Sequence, residues 1–280
     1  MSYLRDGSGD KFDDIGVAVV LAAVGMLLGF VALVFLVGII DALTIAGYSV
    51  PEWALVAASV IALQGIGLVG TAVAYLRMTG RGLDFLRLSK PSPKQVALSF
   101  GTVVGMIAAL IAVSIVIEAL GQDPAGHGTV EQIADEDDPN PNLALYMVVL
   151  SILVIGPCEE LLFRGVIQTK LRDSFSVEGA VGVASVIFAL IHIPAYGADV
   201  IAEIVQEGVT VSSIQSLGVT LTVLFVLSLI LGYVYERTDN LAVPMIAHGF
   251  YNAVLFGILY IGIEYADELE EMAYAFVSLV

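Results

Sequence analysis

Long apolar stretches, each about the length that crosses a bilayer, alternate with short polar segments along this chain. A helix needs about 20 predominantly apolar residues to span a hydrocarbon core of about 30 Å. Six stretches meet this rule with no Asp, Glu, Lys or Arg inside, or nearly so: residues 15–40, 54–76, 96–117, 177–194, 214–235 and 241–263. A seventh, from residue 143 to about residue 172, is interrupted by two glutamates. The pattern predicts an all-α, polytopic transmembrane bundle of about seven spans.

Composition supports the same class of protein. Hydrophobic residues make up 58% of the chain and charged residues 14%, and the mean hydropathy is +0.93. Soluble domains have about 45–50% apolar and about 25% charged residues. The chain is therefore expected to be a multi-pass integral membrane protein.

The basic residues all fall on one side of the membrane if the seven spans simply alternate in direction. By the positive-inside rule this side is cytoplasmic, which predicts a cytoplasmic N-terminus. The plasma membrane is the expected location. The residues concerned are Arg5, Lys11, Arg77, Arg81, Arg87, Lys90, Lys94, Arg164, Lys170, Arg172 and Arg237.

The chain is strongly acidic, with a formal net charge of -17 and a pI near 4.3. The acidic residues are concentrated in the loops and at the two ends, for example in residues 131–138. Acidic, solvated loops are typical of proteins that remain soluble at high salt, so we predict a halophilic setting. A site for cations or basic partners is the alternative. A basic surface that would bind nucleic acid is absent from the sequence.

The glutamate pair Glu159–Glu160 is the most informative polar feature. A carboxylate in hydrocarbon costs several kcal/mol, about 2.5 to 3.5 on insertion scales, so two adjacent ones indicate a functional site. The other strongly polar candidates in apolar segments are His192, His248 and Asn252. Together these residues predict a hydrolytic centre within a helical bundle.

Helical spacing separates the two glutamates. Glu160 and Arg164 are four residues apart, so they share a face and are predicted to form an ion pair. Glu159 is turned away by about 100° and lacks that partner, which suits a general base. Pro157, just before the pair, removes a backbone donor and predicts irregular backbone at this depth.

Three motifs in order resemble those of a known family. They are Glu159-Glu160-x-x-x-Arg164, Phe188-x-x-x-His192 and His248-x-x-x-Asn252. They look like the signature motifs of the CPBP family, the CAAX-protease and bacteriocin-processing intramembrane endopeptidases. The resemblance covers residues 143–263, which would be the catalytic core of a single membrane domain of residues 1–280. Residues 1–120 would supply three accessory spans.

The resemblance implies a catalytic set of Glu159, Glu160, Arg164, His192, His248 and Asn252. Glu159 and His192 would activate a water for attack on a peptide carbonyl, and Glu160 and Arg164 would position the site. His248 and Asn252 would stabilise the oxyanion or help hold a metal. Glu159, His192 and His248 are also an acceptable set of Zn²⁺ ligands with an open position, so a zinc-activated water and a glutamate-activated water both remain open.

The expected activity is cleavage near the C-terminus of a prenylated or membrane-anchored protein, or within a leader peptide. The partners would be such a lipidated or membrane-associated substrate and the bilayer. Two other hypotheses are a transporter that uses Glu159 and the histidines as a proton relay, and a non-catalytic scaffold or immunity protein.

Small-residue spacings predict where helices pack closely. Gly25 with Gly29, and Gly101 with Gly105, each place two glycines one turn apart on a span. Such pairs let helix backbones approach, so both are predicted to be packing faces.

Overall fold

Within the part of the chain that the structure describes, seven helices are each long and apolar enough to cross a membrane. The computed structural model describes residues 10–122, 125, 128–134, 139–196, 200, 210–266 and 268, and within them no strand occurs. In chain order the helices, here called the first to seventh spans, are Lys11–Ile45, Glu52–Thr79, Pro93–Ala119, Pro141–Leu171, Val177–Tyr196, Ile214–Thr238 and Ala242–Glu264. The predicted all-α, seven-span fold is confirmed.

The predicted spans match the observed helices closely, and most differences lie in polar turns that extend each helix. The cytoplasmic orientation of the N-terminus stays a prediction. Arg5 and residues 135–138 of the acidic loop lie outside the described residues.

Polar caps determine several helix ends. The Asp10 side chain accepts a hydrogen bond from the backbone N–H of Phe12 at the start of the first span. Ser92 and Gln95 form a reciprocal capping box at the start of the third. Gly80 ends the second span in a left-handed conformation, with φ of 67°, which glycine adopts without steric cost.

Two of the described spans contain π-helical segments. The second is π-helical over Ile61–Val69, and the fourth is π-helical over Ser151–Ile155 and again over Leu161–Gln168. The two π-helical segments of the fourth span flank Gly156–Glu160, which contains Pro157. The irregular backbone predicted around this proline is therefore present, as wider turns on both sides. Turns of this kind occur frequently at functional sites.

Close glycine contacts hold the first and second spans together. A Cβ atom on Gly67 would lie 2.6 Å from the carbonyl oxygen of Gly25 and 2.9 Å from the Cα of Gly29. The packing face predicted at Gly25 and Gly29 is thus confirmed. The prediction was wrong for Gly101 and Gly105, where an added Cβ would meet nothing within 4 Å among the described residues.

The largest buried cluster unites the N-terminal and C-terminal halves. It combines Ala18 and Ala72 from the first two spans with Leu162, Phe188 and Tyr235 from the fourth, fifth and sixth. Large apolar side chains on the outer surface, by contrast, are exposed: Leu27 is 63%, Val34 is 71% and Phe35 is 70% exposed. Apolar surface of this extent is suited to contact with lipid.

The basic loop between the second and third spans is docked on the bundle. Its short 3₁₀ helix, Leu83–Leu86, buries Leu86 and leaves Leu83 exposed. Arg87 follows it and forms ion pairs with Glu236 and Asp239 at 3.1 and 3.2 Å. These contacts tie the loop to the turn between the sixth and seventh spans.

Candidate active site

The fourth span carries the glutamate pair into the centre of the bundle. The side chains of Glu159 and Glu160 are only 8% and 0% exposed. Because consecutive helical residues point about 100° apart, the two carboxylates meet different neighbours.

Glu160 belongs to a buried ion pair. Its Oε1 accepts a hydrogen bond from Arg164 Nη1 at 2.7 Å, as the helical spacing predicted. Arg164 Nη2 also donates to the backbone carbonyl and the hydroxyl of Ser228, at 3.1 and 2.7 Å. The guanidinium lies over the ring of Phe188, 4.7 Å from its centroid. The fourth, fifth and sixth spans therefore meet at this arginine.

His248 is held by the same glutamate. Its Nδ1 lies 2.8 Å from Glu160 Oε1. An ionised carboxylate only accepts hydrogen bonds, so Nδ1 of His248 carries a hydrogen in this contact. The other ring nitrogen, Nε2, then faces away from Glu160 and toward Glu159, at 3.8 Å from Oε2.

His192 is oriented by backbone. Its Nδ1 lies 2.7 Å from the carbonyl oxygen of Phe188, one turn earlier on the fifth span. A carbonyl also only accepts, so this Nδ1 carries a hydrogen as well. The Nε2 of His192 therefore points at Glu159 Oε2, at a distance of 3.9 Å.

Glu159 is the point on which these groups converge. One of its oxygens, Oε2, faces both histidine Nε2 atoms, while Oε1 accepts a hydrogen bond from Gln64 Nε2 at 2.9 Å. When both histidines are neutral, Glu159 Oε2 and the two Nε2 atoms are all hydrogen-bond acceptors, and none of them carries a hydrogen to share with the others. A water placed there could donate a hydrogen to two of the three, since polar contacts longer than about 3.5 Å are commonly bridged by water.

The donor set also suits a zinc ion in its chemistry. Carboxylate and imidazole groups are ordinary Zn²⁺ ligands. The Nδ1 atoms of His248 and His192 face a carboxylate and a backbone carbonyl, which are the acceptors that zinc-binding histidines use to fix their rings. Across the described residues, however, no group of three His, Cys, Asp or Glu side chains has the spacing of a metal site. For bonds of about 2.0 to 2.1 Å the donors would have to approach by about half an ångström.

A close helix crossing positions the two halves of the site. A Cβ on Gly156 would lie 2.5 Å from the backbone nitrogen of Gly249 and 2.7 Å from its Cα. Gly156 precedes the glutamate pair by three residues, and Gly249 follows His248 directly. The absence of both side chains lets the fourth and seventh spans approach until Glu160 reaches His248.

The structure brings five of the six predicted site residues together: Glu159, Glu160, Arg164, His192 and His248. Asn252 lies one turn beyond His248, half-buried, and takes no part in the hydrogen bonds that the structure describes around them. Sequence reasoning missed Gln64 and Ser228. Gln64 is a polar amide within an apolar span, which is the same sequence signal that singled out the histidines. A serine is common in membrane helices, so Ser228 gives no comparable signal.

A polytopic helical membrane protein with a buried Glu/His centre is the class that fold and site define. Residues 141–254 match the family described as type II CAAX prenyl endopeptidase Rce1-like. Over this segment the resemblance to the CPBP family is confirmed. The matched segment starts with the fourth span and excludes the first three. No curated protein and no solved structure matches the chain.

Proposed function

We propose that the protein is a CAAX-type intramembrane endopeptidase in which Glu159 and His192 activate a water. The observation that carries this proposal is the position of Glu159 Oε2, between the Nε2 atoms of His192 and His248 at 3.9 and 3.8 Å. The Rce1-like match supports the class of reaction.

The chemistry follows from the three converging acceptors. A water between them donates its hydrogens to Glu159 Oε2 and to His192 Nε2, which leaves an oxygen lone pair for the substrate. As that oxygen bonds to the scissile carbonyl carbon, Glu159 takes the proton. The C–N bond then breaks, and Glu159 returns the proton to the departing amine.

The negative charge on the carbonyl oxygen needs donors in a site from which water is largely excluded. By the family resemblance, Asn252 and His248 fill this role. Asn252 has an amide that is not used elsewhere among the described contacts, and His248 contributes when both of its ring nitrogens are protonated. Fixed donors of this kind stabilise a developing oxyanion strongly in a low-dielectric site.

A metal would use the same residues. Glu159, His192 and His248 would hold Zn²⁺, which when bound lowers the pKa of a water and polarises a carbonyl. Glu160 and the Phe188 carbonyl would keep the two imidazoles oriented in either case.

The substrate is proposed to be a prenylated protein or peptide that ends in a CAAX sequence and reaches the site from the membrane. The test uses purified protein in lipid nanodiscs and a fluorescence-quenched, farnesylated CAAX peptide, with the unprenylated peptide as a comparison. Cleavage of the farnesylated peptide, and its loss in Glu159→Gln, is the expected result. Equal cleavage by wild type and Glu159→Gln would contradict the proposal.

Metal analysis of the same sample, with and without a chelator, decides how the water is activated. Activity that survives in metal-free protein assigns the step to Glu159 and His192 alone. Activity that is lost with the metal and returns with Zn²⁺ assigns it to a bound ion.

A further inference from the structure

Gln64 reaches the candidate active site from outside the Rce1-like segment. It lies on the second span, 95 residues before its partner Glu159 in the chain. We propose that Gln64 is a positioning residue for the catalytic carboxylate, so that the accessory spans complete the active site. This inference rests on the proposed function and adds a residue to it.

The contact determines which way the carboxylate of Glu159 faces. The terminal torsion of a glutamate has a broad, roughly two-fold preference, so a carboxylate without partners turns easily. Gln64 Nε2 donates to Oε1 at 2.9 Å, while the opposite oxygen, Oε2, faces His192 and His248. The amide therefore occupies one oxygen and leaves the other aimed at the place where the water is proposed to lie.

The backbone around Gln64 is held tightly. Gln64 lies in the π-helical segment Ile61–Val69, and Gly67, three residues later, contacts the backbone of Gly25 and Gly29. Gly29 in turn faces Leu63, where an added Cβ would lie 3.0 Å from the Cα and the carbonyl oxygen. The backbone on both sides of Gln64 therefore packs against the first span, while the Gln64 amide itself reaches Glu159.

Stability alone does not explain a glutamine at this position. Its amide oxygen is buried and has no hydrogen-bond partner among the described residues. Leaving a buried acceptor unpaired is unfavourable, so an apolar side chain of similar size would be tolerated or preferred if the residue only filled space. A positioning role and a packing role therefore predict different outcomes for the same substitution.

The experiment compares Gln64→Met, which keeps the volume and removes the donor, with Gln64→His, which keeps an N–H donor. Thr71→Val is the matched control, because Thr71 is another buried side chain on the second span. Its hydroxyl has no hydrogen-bond partner among the described residues, and no described contact joins it to Glu159. All three are assayed in nanodiscs with the farnesylated CAAX peptide, and their thermal stability is measured in parallel.

We expect Gln64→Met to lower kcat about 10- to 100-fold, the effect of misplacing a reacting group by about 1 Å. KM should stay within about 2-fold, since substrate binding is not affected. The melting temperature should change little, because the substitution removes a buried amide oxygen that has no partner among the described residues but also leaves Glu159 Oε1 without its donor. Gln64→His should recover a large part of the lost kcat, and Thr71→Val should match wild type in both measurements.

Two results would overturn the inference while leaving the proposed function intact: wild-type kcat in Gln64→Met, or equal losses in Gln64→Met and Gln64→His together with a lowered melting temperature. If wild type and Glu159→Gln cleave the peptide equally, the proposed function itself fails, and the positioning role fails with it.

Discussion

Glu160 and His248 are joined by a hydrogen bond of 2.8 Å between Oε1 and Nδ1, which links the fourth span to the seventh. The same oxygen accepts from Arg164 at 2.7 Å. One carboxylate oxygen thus receives two donors, while Oε2 of Glu160 is buried without a hydrogen-bond partner among the described residues. Glu160 therefore contacts the histidine pair only through Nδ1 of His248 among the described contacts, whereas Glu159 faces Nε2 of both His192 and His248.

Removing Glu160 should destabilise the protein as well as inactivate it. Glu160→Leu leaves the guanidinium of Arg164 buried without its counter-ion, and breaking a buried pair in this way costs about 3–5 kcal/mol. Unfolding of the purified protein in detergent measures the loss. The double substitution Glu160→Leu with Arg164→Met should regain part of it, because no uncompensated charge remains. A double variant less stable than Glu160→Leu would contradict this account of the pair.

Glu159 and His192 should behave differently from Glu160. Glu159→Gln and His192→Ala are each expected to lower kcat by about 10²- to 10⁴-fold, as loss of a general acid or base does, with the melting temperature nearly unchanged. Cleavage of the farnesylated peptide and thermal unfolding are the two measurements. Glu178→Gln, a change at an exposed glutamate at the start of the fifth span, is the control and should keep full activity. Full activity in either site variant would end the proposed mechanism.

The crossing of the fourth and seventh spans predicts strong sensitivity at Gly156. Gly156→Ala forces a Cβ against the backbone of Gly249, so the helices must separate, which costs about 1–3 kcal/mol and draws His248 away from Glu160. Both stability and kcat should fall. Gly101→Ala is the matched control, since an added Cβ there meets nothing within 4 Å of the described residues. A similar response in both variants would argue against the crossing.

A surface ion-pair network gives a prediction on pH. Asp173 accepts hydrogen bonds from Arg81 and Lys170, each at 3.0 Å. Burial alone would raise the pKa of the Asp173 carboxyl, but the two cations outweigh it and lower that pKa below its ordinary value. A lowered pKa in the folded protein means that Asp173 contributes stability above the pKa of the unfolded chain and loses it as the pH falls through the folded value.

Asp173→Asn should therefore be slightly less stable than wild type at pH 7, by about 0.2–1 kcal/mol because the pair is partly exposed. The difference should shrink as the pH falls below about 4, where the carboxylate of the unfolded chain becomes protonated, and should be lost at the lower pH where the folded carboxylate is protonated as well. Melting temperatures of both proteins across this range measure it. A difference that persists unchanged in acid would show that the contribution is not electrostatic.

The number and approximate ends of the spans followed from the sequence because the length of a membrane helix is set by the bilayer, not by the details of packing. The pair of Glu160 and Arg164 was predictable for a similar reason, since residues four apart on a helix are neighbours. The approach of Glu159 to His192 and His248 was predicted from their polar character within apolar segments and from the family resemblance, and the structure confirms that approach.

The contacts that sequence reasoning missed depend on how helices rotate and cross. Ser228 and Gln64 reach the site because the sixth and second spans are rotated so that these residues face inward. The rotation of a helix about its own axis cannot be read from a single sequence. The glycine pairs show the same limit: Gly25 and Gly101 stand in similar patterns, yet only the first faces a neighbouring helix. The π-helical turns around Pro157 add a further shift in facing that a regular 3.6-residue period does not contain.

The burial of Arg164 has a consequence for how the protein is made. Its guanidinium is 1% exposed and relies on Ser228, which the ribosome adds 64 residues later, while its counter-ion Glu160 relies on His248, 88 residues later. Until the sixth and seventh helices are inserted, Glu160 and Arg164 on the fourth helix have their own ion pair but lack these additional partners. We therefore expect the fourth helix to reach its final position late during biogenesis, once the sixth and seventh helices have inserted and supplied these partners.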